Sequence, residues 1–212
     1  GGMFVDEEGK VTVNNDRALA AISRAKEWVG TLSPPGVTTY KEEEGRQLFQ
    51  IGNAAFMRNW PYAYYLGNSP DSAIRDKFDV TLLPEAGGGH ASALGGWNVG
   101  VSKYSEHQQE AIAFAKWITS RQAQHTRAVE ATLLPTRRSL YDDEELKAKI
   151  PFIVSMEDVF VNATPRPAKM FGRDYNRASN AIFQNTHDVL TGAQTVEGAL
   201  EEMEEDLIEL AE

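Results

Sequence analysis

Aromatic side chains beside glycines form the sequence pattern with the clearest chemical use. Trp60 and Tyr62 follow the apolar segment 54–57 after two polar residues, and Trp97 follows Gly95 and Gly96. Because glycine has no side chain, a ligand can approach the backbone closely at such a position. Aromatic rings offer flat apolar faces with a polar edge, which suit the C–H face of a pyranose ring. These residue types could form a site for a neutral sugar.

One arginine could complement the aromatic residues. Arg166 stands between two prolines, and its planar guanidinium offers a rigid fork of hydrogen-bond donors for sugar hydroxyls. The alternative is that Trp60 and Trp97 are half-buried packing residues and that Arg166 caps a helix, and residue types alone favour this alternative. Trp28 and Trp117 fall on predicted helix faces, where we expect core positions.

Other site chemistries have little support in the sequence. The absence of cysteine excludes disulfides, thiolate zinc sites and cysteine nucleophiles. The histidines are far apart and form no His-Glu-x-x-His motif, and there is no Gly-x-Ser-x-Gly motif. A glycosidase needs two carboxylates at a set separation, but no pair stands out among the 31 acidic residues. The sequence therefore predicts no catalytic residue, no metal ion and no cofactor.

Length and composition narrow the class of protein further. The chain has 212 residues, which suits one large domain or two small lobes. Its net charge of −10 disfavours a general nucleic-acid binder, which needs a basic surface. A hydrophobic content of 42% excludes a disordered chain. No apolar run is as long as a membrane span, and no signal peptide is visible.

Strands and helices are both predicted, which indicates an α/β or α+β fold. Apolar runs predict strands at 11–13, 54–57, 78–83 and 93–101. Thr39 and Glu42 have the spacing of a capping box at a helix start. Further helices are predicted at 111–119, 121–131, 142–149, 151–161 and 175–190. Thr195 is predicted to cap a last helix with an apolar stripe at Val196, Leu200, Met203, Leu207 and Leu210.

Several segments stand in a familiar order and at familiar spacings. They are Gly9–Asn14, Phe49–Tyr62, Leu94–Ser102, Leu134–Arg137, Thr164–Pro167 and Leu190–Gly192. Together they resemble the C-terminal half of sugar-specific solute-binding proteins (family 1) of bacterial and archaeal ABC transporters, particularly the trehalose/maltose-binding branch. The resemblance covers essentially the whole chain. It implies two α/β lobes that close by a hinge around a sugar in the cleft between them.

The resemblance also implies roles for individual residues. Trp60 and Trp97 match positions that stack on sugar rings, and Tyr62 matches one that stacks or contacts a hydroxyl. Gly96 matches a position where the backbone approaches the ligand. Arg166 matches an arginine that donates to sugar hydroxyls. These five residues are the predicted substrate-binding set, and no catalysis is implied.

Family members are about twice as long as this sequence, and their N-terminal half carries most of one lobe. We therefore expect a helix-rich lobe of the class II periplasmic-binding-protein type that lacks its N-terminal lobe. By analogy, residues 1–84 and 119–212 belong to the C-terminal lobe, and residues 85–118 cross to the N-terminal lobe. The expected partners are a di- or oligosaccharide, the membrane permease subunits and the N-terminal half of the same protein, with no nucleic acid. The expected location is periplasmic or extracellular, with a lipid anchor at an N-terminus that the sequence does not contain.

Two other functions stay open. A fragment with half a cleft would bind sugar weakly, because ligand sites normally bury most of the ligand surface. Such a fragment could instead self-associate through the exposed apolar stretch from Leu94 to Val101. The second alternative is a glycoside-processing enzyme.

Overall fold

The computed structural model describes residues 2–85, 87 and 89–211, and most of its regular structure is helical. In chain order the helices are α1 (Asp16–Trp28), α2 (Glu42–Gln50), α3 (Tyr62–Gly67), α4 (Gln108–Ile118), α5 (Arg121–Ala131), α6 (Glu144–Lys149), α7 (Ile153–Val161), α8 (Ala168–Phe171), α9 (Tyr175–Thr191) and α10 (Val196–Ala211). Short 3-10 helices occupy Pro35–Thr39, Arg138–Leu140 and Gly172–Asp174. Among the described residues, no helix combines the length and apolar character that crossing a membrane requires.

The chain divides into two compact units, each with its own core. Unit 1 consists of residues 1–41 and 165–212, and unit 2 consists of residues 42–164. The expected assignment of residues 85–118 to an N-terminal lobe concerns a longer protein and stays a prediction.

The core of unit 1 is built around the last two helices. The predicted stripe of α10 is confirmed, because Val196, Leu200, Met203 and Leu207 are buried and Leu210 packs against their cluster. α9 and α1 both pack against α10. Buried side chains of the N-terminal segment and of α8 and α9 complete this core: Val11, Val13, Phe171, Ala178 and Val189.

Short polar side chains and a glycine set the helix ends of unit 1. The Asn15 side chain accepts hydrogen bonds from the backbone N–H groups of Arg17 and Ala18, both at 3.0 Å, and so caps α1. Thr195 Oγ1 accepts from the N–H of Gly198 at 3.1 Å at the start of α10, as predicted. Gly192 follows α9 with φ at 81°, a conformation that glycine adopts without strain.

The core of unit 2 is formed by α5, α6 and α7. Leu140, Leu146, Ile150 and Ile153 are fully buried there, and Ala128 of α5 joins them. An aromatic chain connects this core with α3 and α2: the ring centroids of Tyr64 and Phe152 lie 5.0 Å apart, those of Tyr64 and Phe78 5.5 Å, and those of Phe78 and Phe49 5.6 Å. Phe49, before α3, and Phe78, after it, are thereby linked through Tyr64 to the core of unit 2.

The segments predicted as strands do not pair into a sheet within the described part of the chain. Pairing is limited to isolated bridges, which join Val5 with Val11, Val29 with Ser33, and Ala93 with Thr164. A strand forms only where a neighbouring strand takes its backbone N–H and C=O groups, and no described segment does so along 54–57 or 78–83. The paired strands predicted there are wrong, although the apolar residues of 78–83 are used, since Val80 and Leu82 pack against the unit 2 core.

The capping box predicted at Thr39 is also wrong. Thr39 ends a 3-10 helix, and its hydroxyl donates to the carbonyl oxygen of Gly36 at 2.9 Å. α2 begins at Glu42 instead, so three glutamates occupy its first turn. Negative charge is favourable at that end of a helix because of the helix dipole.

The core positions expected for Trp28 and Trp117 are wrong. Trp28 is 45% exposed and Trp117 is 57% exposed. Trp117 lies on α4, which has no buried residue among those described. Its ring packs only partly against Phe114, with the centroids 5.8 Å apart.

The α10 stripe predicts a large effect of one substitution on stability. Leu207→Ala removes a side chain that is 0% exposed and leaves a cavity in the unit 1 core. We expect it to lower the free energy of unfolding by about 2–5 kcal/mol in urea denaturation followed by circular dichroism. Leu32→Ala is the control, because Leu32 is 80% exposed in the same unit and its truncation should cost no more than about 0.5 kcal/mol. Equal effects of the two substitutions would contradict the assigned core.

Candidate functional site

Trp60 lies between α2 and α3, and hydrogen bonds fix its position. Its backbone N–H donates to Asn59 Oδ1 at 2.7 Å, and Asn59 Nδ2 donates to the carbonyl oxygen of Glu42 at 3.0 Å. The indole Nε1–H donates to Glu42 Oε1 at 3.4 Å, which is a long hydrogen bond. The turn that carries Trp60 is therefore tied to the start of α2, while 40% of the residue stays exposed.

The ring of Trp60 lies directly against the backbone of Gly95. A Cβ atom placed on Gly95 would lie 2.4 Å from Cη2 and 2.9 Å from Cζ3 of the indole. No real side chain tolerates such distances, so this contact requires glycine at position 95. The structure therefore brings together Trp60 and Gly95, which the sequence places 35 positions apart.

Gly96 and Trp97, which come directly after Gly95, are exposed to solvent. A Cβ on Gly96 would meet no atom of the described chain within 4 Å, so the backbone there is free for the approach of a ligand. Trp97 is 98% exposed, although indole is a large apolar ring. The roles predicted for Gly96 and Trp97 toward a sugar stay predictions.

Tyr62, the first residue of α3, is half-buried and hydrogen-bonded to α2. Its hydroxyl donates to Glu43 Oε1 at 2.6 Å. Burial, and then this hydrogen bond to a carboxylate, raise the pKa of Tyr62 to about 12. Tyr62 is therefore a neutral phenol at any physiological pH.

Glu43 is held in turn by an arginine on the same helix. Its Oε2 accepts from Arg46 Nη2 at 2.6 Å and from Arg46 Nε at 3.0 Å. The hydrogen bonds from Arg46 and then from Tyr62 keep the pKa of Glu43 below its ordinary value. Arg46 also donates to Gln50, whose Nε2 donates to Ser69 Oγ at 3.2 Å. A continuous set of hydrogen bonds thus runs from Tyr62 along α2.

Arg166 belongs to unit 1, where it is exposed just before α8. Two residues earlier in the chain, Thr164 belongs to unit 2 and hydrogen-bonds with the segment that leads to the glycines. The N–H of Leu94 donates to Thr164 O at 2.9 Å, and the N–H of Thr164 donates to Ser92 O at 2.8 Å. The donor role of Arg166 stays a prediction.

Sequence reasoning missed the parts of α2 and of the glycine pair that hold the aromatic rings. Glu42 and Glu43 bind the polar ends of Trp60 and Tyr62 but were expected only as part of a helix start. Gly95 makes the close contact with Trp60. The two glycines before Trp97 indicated a close approach of another group. The sequence does not show which of the two glycines an aromatic ring would contact.

Within the described residues, no group of three or more His, Cys, Asp or Glu side chains is arranged to hold a metal ion. His125 Nε2 lies 3.3 Å from Asp143 Oδ1 and 3.5 Å from Glu145 Oε2. Asp143 also pairs with Arg121 at 2.9 Å and caps α6. This cluster links α5 to α6 as a structural ion-pair group.

Comparison with known proteins gives a coherent set of relatives. A family model described as bacterial extracellular solute-binding protein matches residues 1–125. A probable ABC transporter-binding protein of Deinococcus radiodurans is 43% identical over 205 residues, which cover 96% of this chain and 49% of the relative.

Solved structures extend the comparison to the fold. The maltose-bound T. maritima MalE3 has a TM-score of 0.94 at 40% identity, over 99% of this chain and 54% of that chain. The GacH receptor of Streptomyces glaucescens GLA.O has a TM-score of 0.85 at 24% identity, over 100% of this chain and 54% of that chain. The chain thus spans about half the length of each of these proteins.

These matches confirm the resemblance to solute-binding proteins of ABC transporters and the helix-rich fold of a periplasmic binding protein. The matched family model extends over more than half of the sequence, from residue 1 to residue 125. The chain belongs to the bacterial extracellular solute-binding protein family.

Proposed function

We propose that this chain forms one wall of a binding site for a neutral di- or oligosaccharide of the maltose or trehalose type. The observation that carries the proposal is the ring of Trp60 on the backbone of Gly95, beside the open Gly96 and the exposed Trp97. The indole of Trp60 and the indole of Trp97, two residues after Gly95, offer apolar faces for the C–H surfaces of linked pyranose rings. Tyr62 adds a neutral hydroxyl next to Trp60, and we assign to Arg166 the role of hydroxyl donor.

The relatives support the sugar class. The T. maritima MalE3 structure contains maltose and is 40% identical to this chain. The chain spans about half of that protein, and we propose that an N-terminal half supplies the opposite wall of the site. We propose that a complete receptor delivers the sugar to the permease of an ABC importer from the periplasm or the cell exterior, without catalysing a reaction. Residues 85–118 would then pack with the N-terminal lobe.

The tryptophans provide the direct test of the sugar site. We expect maltose to change the tryptophan fluorescence of the chain with a millimolar dissociation constant, since half a cleft buries only part of the ligand. Trp60→Ala and Trp97→Ala should each weaken binding about tenfold through loss of the stacking face. Trp117→Ala, on the exposed face of α4, is the matched control and should bind as the unchanged chain does. Unchanged affinity in both site variants would remove the assignment.

The contact at Gly95 gives a test that needs no ligand. Gly95→Ala places a methyl group where the Trp60 ring lies, so we expect the ring to move and the near-ultraviolet circular dichroism of the tryptophans to change. Maltose affinity should fall in the same variant. Gly96→Ala is the control, because a Cβ there meets open space and should leave the ligand-free spectrum as it is. Identical ligand-free spectra for Gly95→Ala and the unchanged chain would show that the ring does not depend on this contact.

Self-association is a second candidate, favoured by the exposed apolar side chains of Leu94, Trp97 and Val99. Where exposed apolar side chains form a contiguous patch, the patch often marks a contact with another molecule. Light scattering at increasing protein concentration separates the two candidates. A monomer at all concentrations that binds maltose supports the sugar site alone, whereas concentration-dependent dimers that Trp97→Ala abolishes would support association.

A further inference from the structure

We propose that Glu43 is a positioning residue that turns Tyr62 into a hydrogen-bond acceptor for the sugar. Tyr62 donates its only hydroxyl proton to Glu43. A ligand can therefore contact this tyrosine only with its own hydroxyl as the donor or with a C–H face. The proposal rests on the sugar site proposed above and deepens it. Glu43 is outside the residues that the sequence predicted for that site.

The direction of the hydrogen bond follows from the chemistry of its partners. An ionised carboxylate accepts hydrogen bonds and has none to donate. The 2.6 Å contact between Tyr62 Oη and Glu43 Oε1 therefore has the tyrosine as donor. Tyr62 Oη keeps its lone pairs for an incoming hydroxyl, and its ring direction is fixed by the same bond.

The carboxylate itself is anchored. Arg46 donates to Glu43 Oε2 through both Nη2 and Nε, and such paired, charge-assisted bonds constrain both distance and angle. Arg46 is largely buried on α2, with a side chain 14% exposed, and Gln50 holds its other side. Glu43 thus presents its second oxygen to Tyr62 from a fixed position rather than from a mobile surface chain.

Trp60 and Glu42 form a second pair in which an aromatic side chain donates to a glutamate of α2. The single donor of the Trp60 side chain, its Nε1–H, is turned toward Glu42 Oε1. The first turn of α2 therefore takes the polar hydrogens of both aromatic residues. What remains for a ligand at Trp60 and Tyr62 is two ring faces and one acceptor oxygen.

The ionisation of the pair agrees with this geometry. Hydrogen bonds from Arg46 and Tyr62 lower the pKa of Glu43, so its stabilising effect is present above the ordinary glutamate range and is lost as pH falls through the lowered pKa. The pKa of Tyr62 is raised to about 12, so its contribution is present at neutral pH and is lost as pH rises toward that value. Between these limits the donor and the acceptor keep their roles.

A double-mutant cycle tests whether Glu43 acts through Tyr62. We expect Glu43→Gln and Tyr62→Phe each to weaken maltose binding by the chain about tenfold, and the double variant to be no weaker than Tyr62→Phe alone. Glu44→Gln removes the same charge from the next residue of α2 and should leave affinity unchanged. Additive losses in the double variant, or equal losses in Glu44→Gln, would overturn the positioning role.

A ligand-free measurement separates this proposal from the sugar site on which it rests. With carbon-13-labelled tyrosine, the NMR signal that disappears in Tyr62→Phe should titrate at lower pH in Glu43→Gln than in the unchanged chain. If that shift occurs and Trp60→Ala weakens maltose binding but Glu43→Gln does not, the sugar site stands and the positioning role is wrong. If neither Trp60→Ala nor Trp97→Ala changes maltose binding, the sugar site itself is wrong. An unshifted Tyr62 titration would show that the hydrogen bond is absent.

Discussion

The contact between the indole of Trp60 and the backbone of Gly95 is the constraint on which the candidate site depends. It fixes an aromatic ring from the turn before α3 against a segment that comes much later in the chain. The segment is held at its other side by hydrogen bonds between residues 92–94 and Thr164. A ring caught between a glycine and the start of α2 has a defined face, and stacking on a sugar needs such a face more than it needs any particular side-chain charge.

The two units show how local packing supports this arrangement. In unit 2, the aromatic chain from Phe49 through Phe78 and Tyr64 to Phe152 connects α2 and α3 with the buried core. Glu42 and Glu43 are therefore at the start of a helix that is joined to this core through Phe49. In unit 1, residues of the N-terminal segment, α1, α8, α9 and α10 form the core cluster among the described residues. Each unit thus has the apolar burial that a stable fold requires.

Much of the helical structure could be predicted from the sequence because its signals are local. The α10 stripe repeats at three and four residues, Thr195 offers an oxygen at the helix start, and Gly192 adopts the left-handed conformation after α9. The strands could not be predicted in the same way, since an apolar run does not reveal whether a partner strand is present. Thr39 failed as a cap because the 3-10 helix that begins at Pro35 uses its hydroxyl within that turn.

The same distinction between local signals and contacts of distant segments applies to the candidate site. Residue types pointed to Trp60 and Tyr62, which follow an apolar segment, and to Trp97, which follows two glycines. Glu43 and Gly95 depend on contacts between segments distant in sequence, and no single-sequence pattern specifies such contacts. The positions predicted for Trp28 and Trp117 were wrong for a related reason. Helical spacing indicates an apolar face but does not show which neighbour covers it.

The exposed face of α4 has a consequence for the mobility of the chain. None of its described residues is buried, and the rings of Phe114 and Trp117 lie 5.8 Å apart on its exposed face. The free energy of local opening depends on the apolar contacts that opening breaks, so α4 has little to lose when it unfolds by itself. Its backbone amides should therefore exchange with deuterium well before those of α9 and α10.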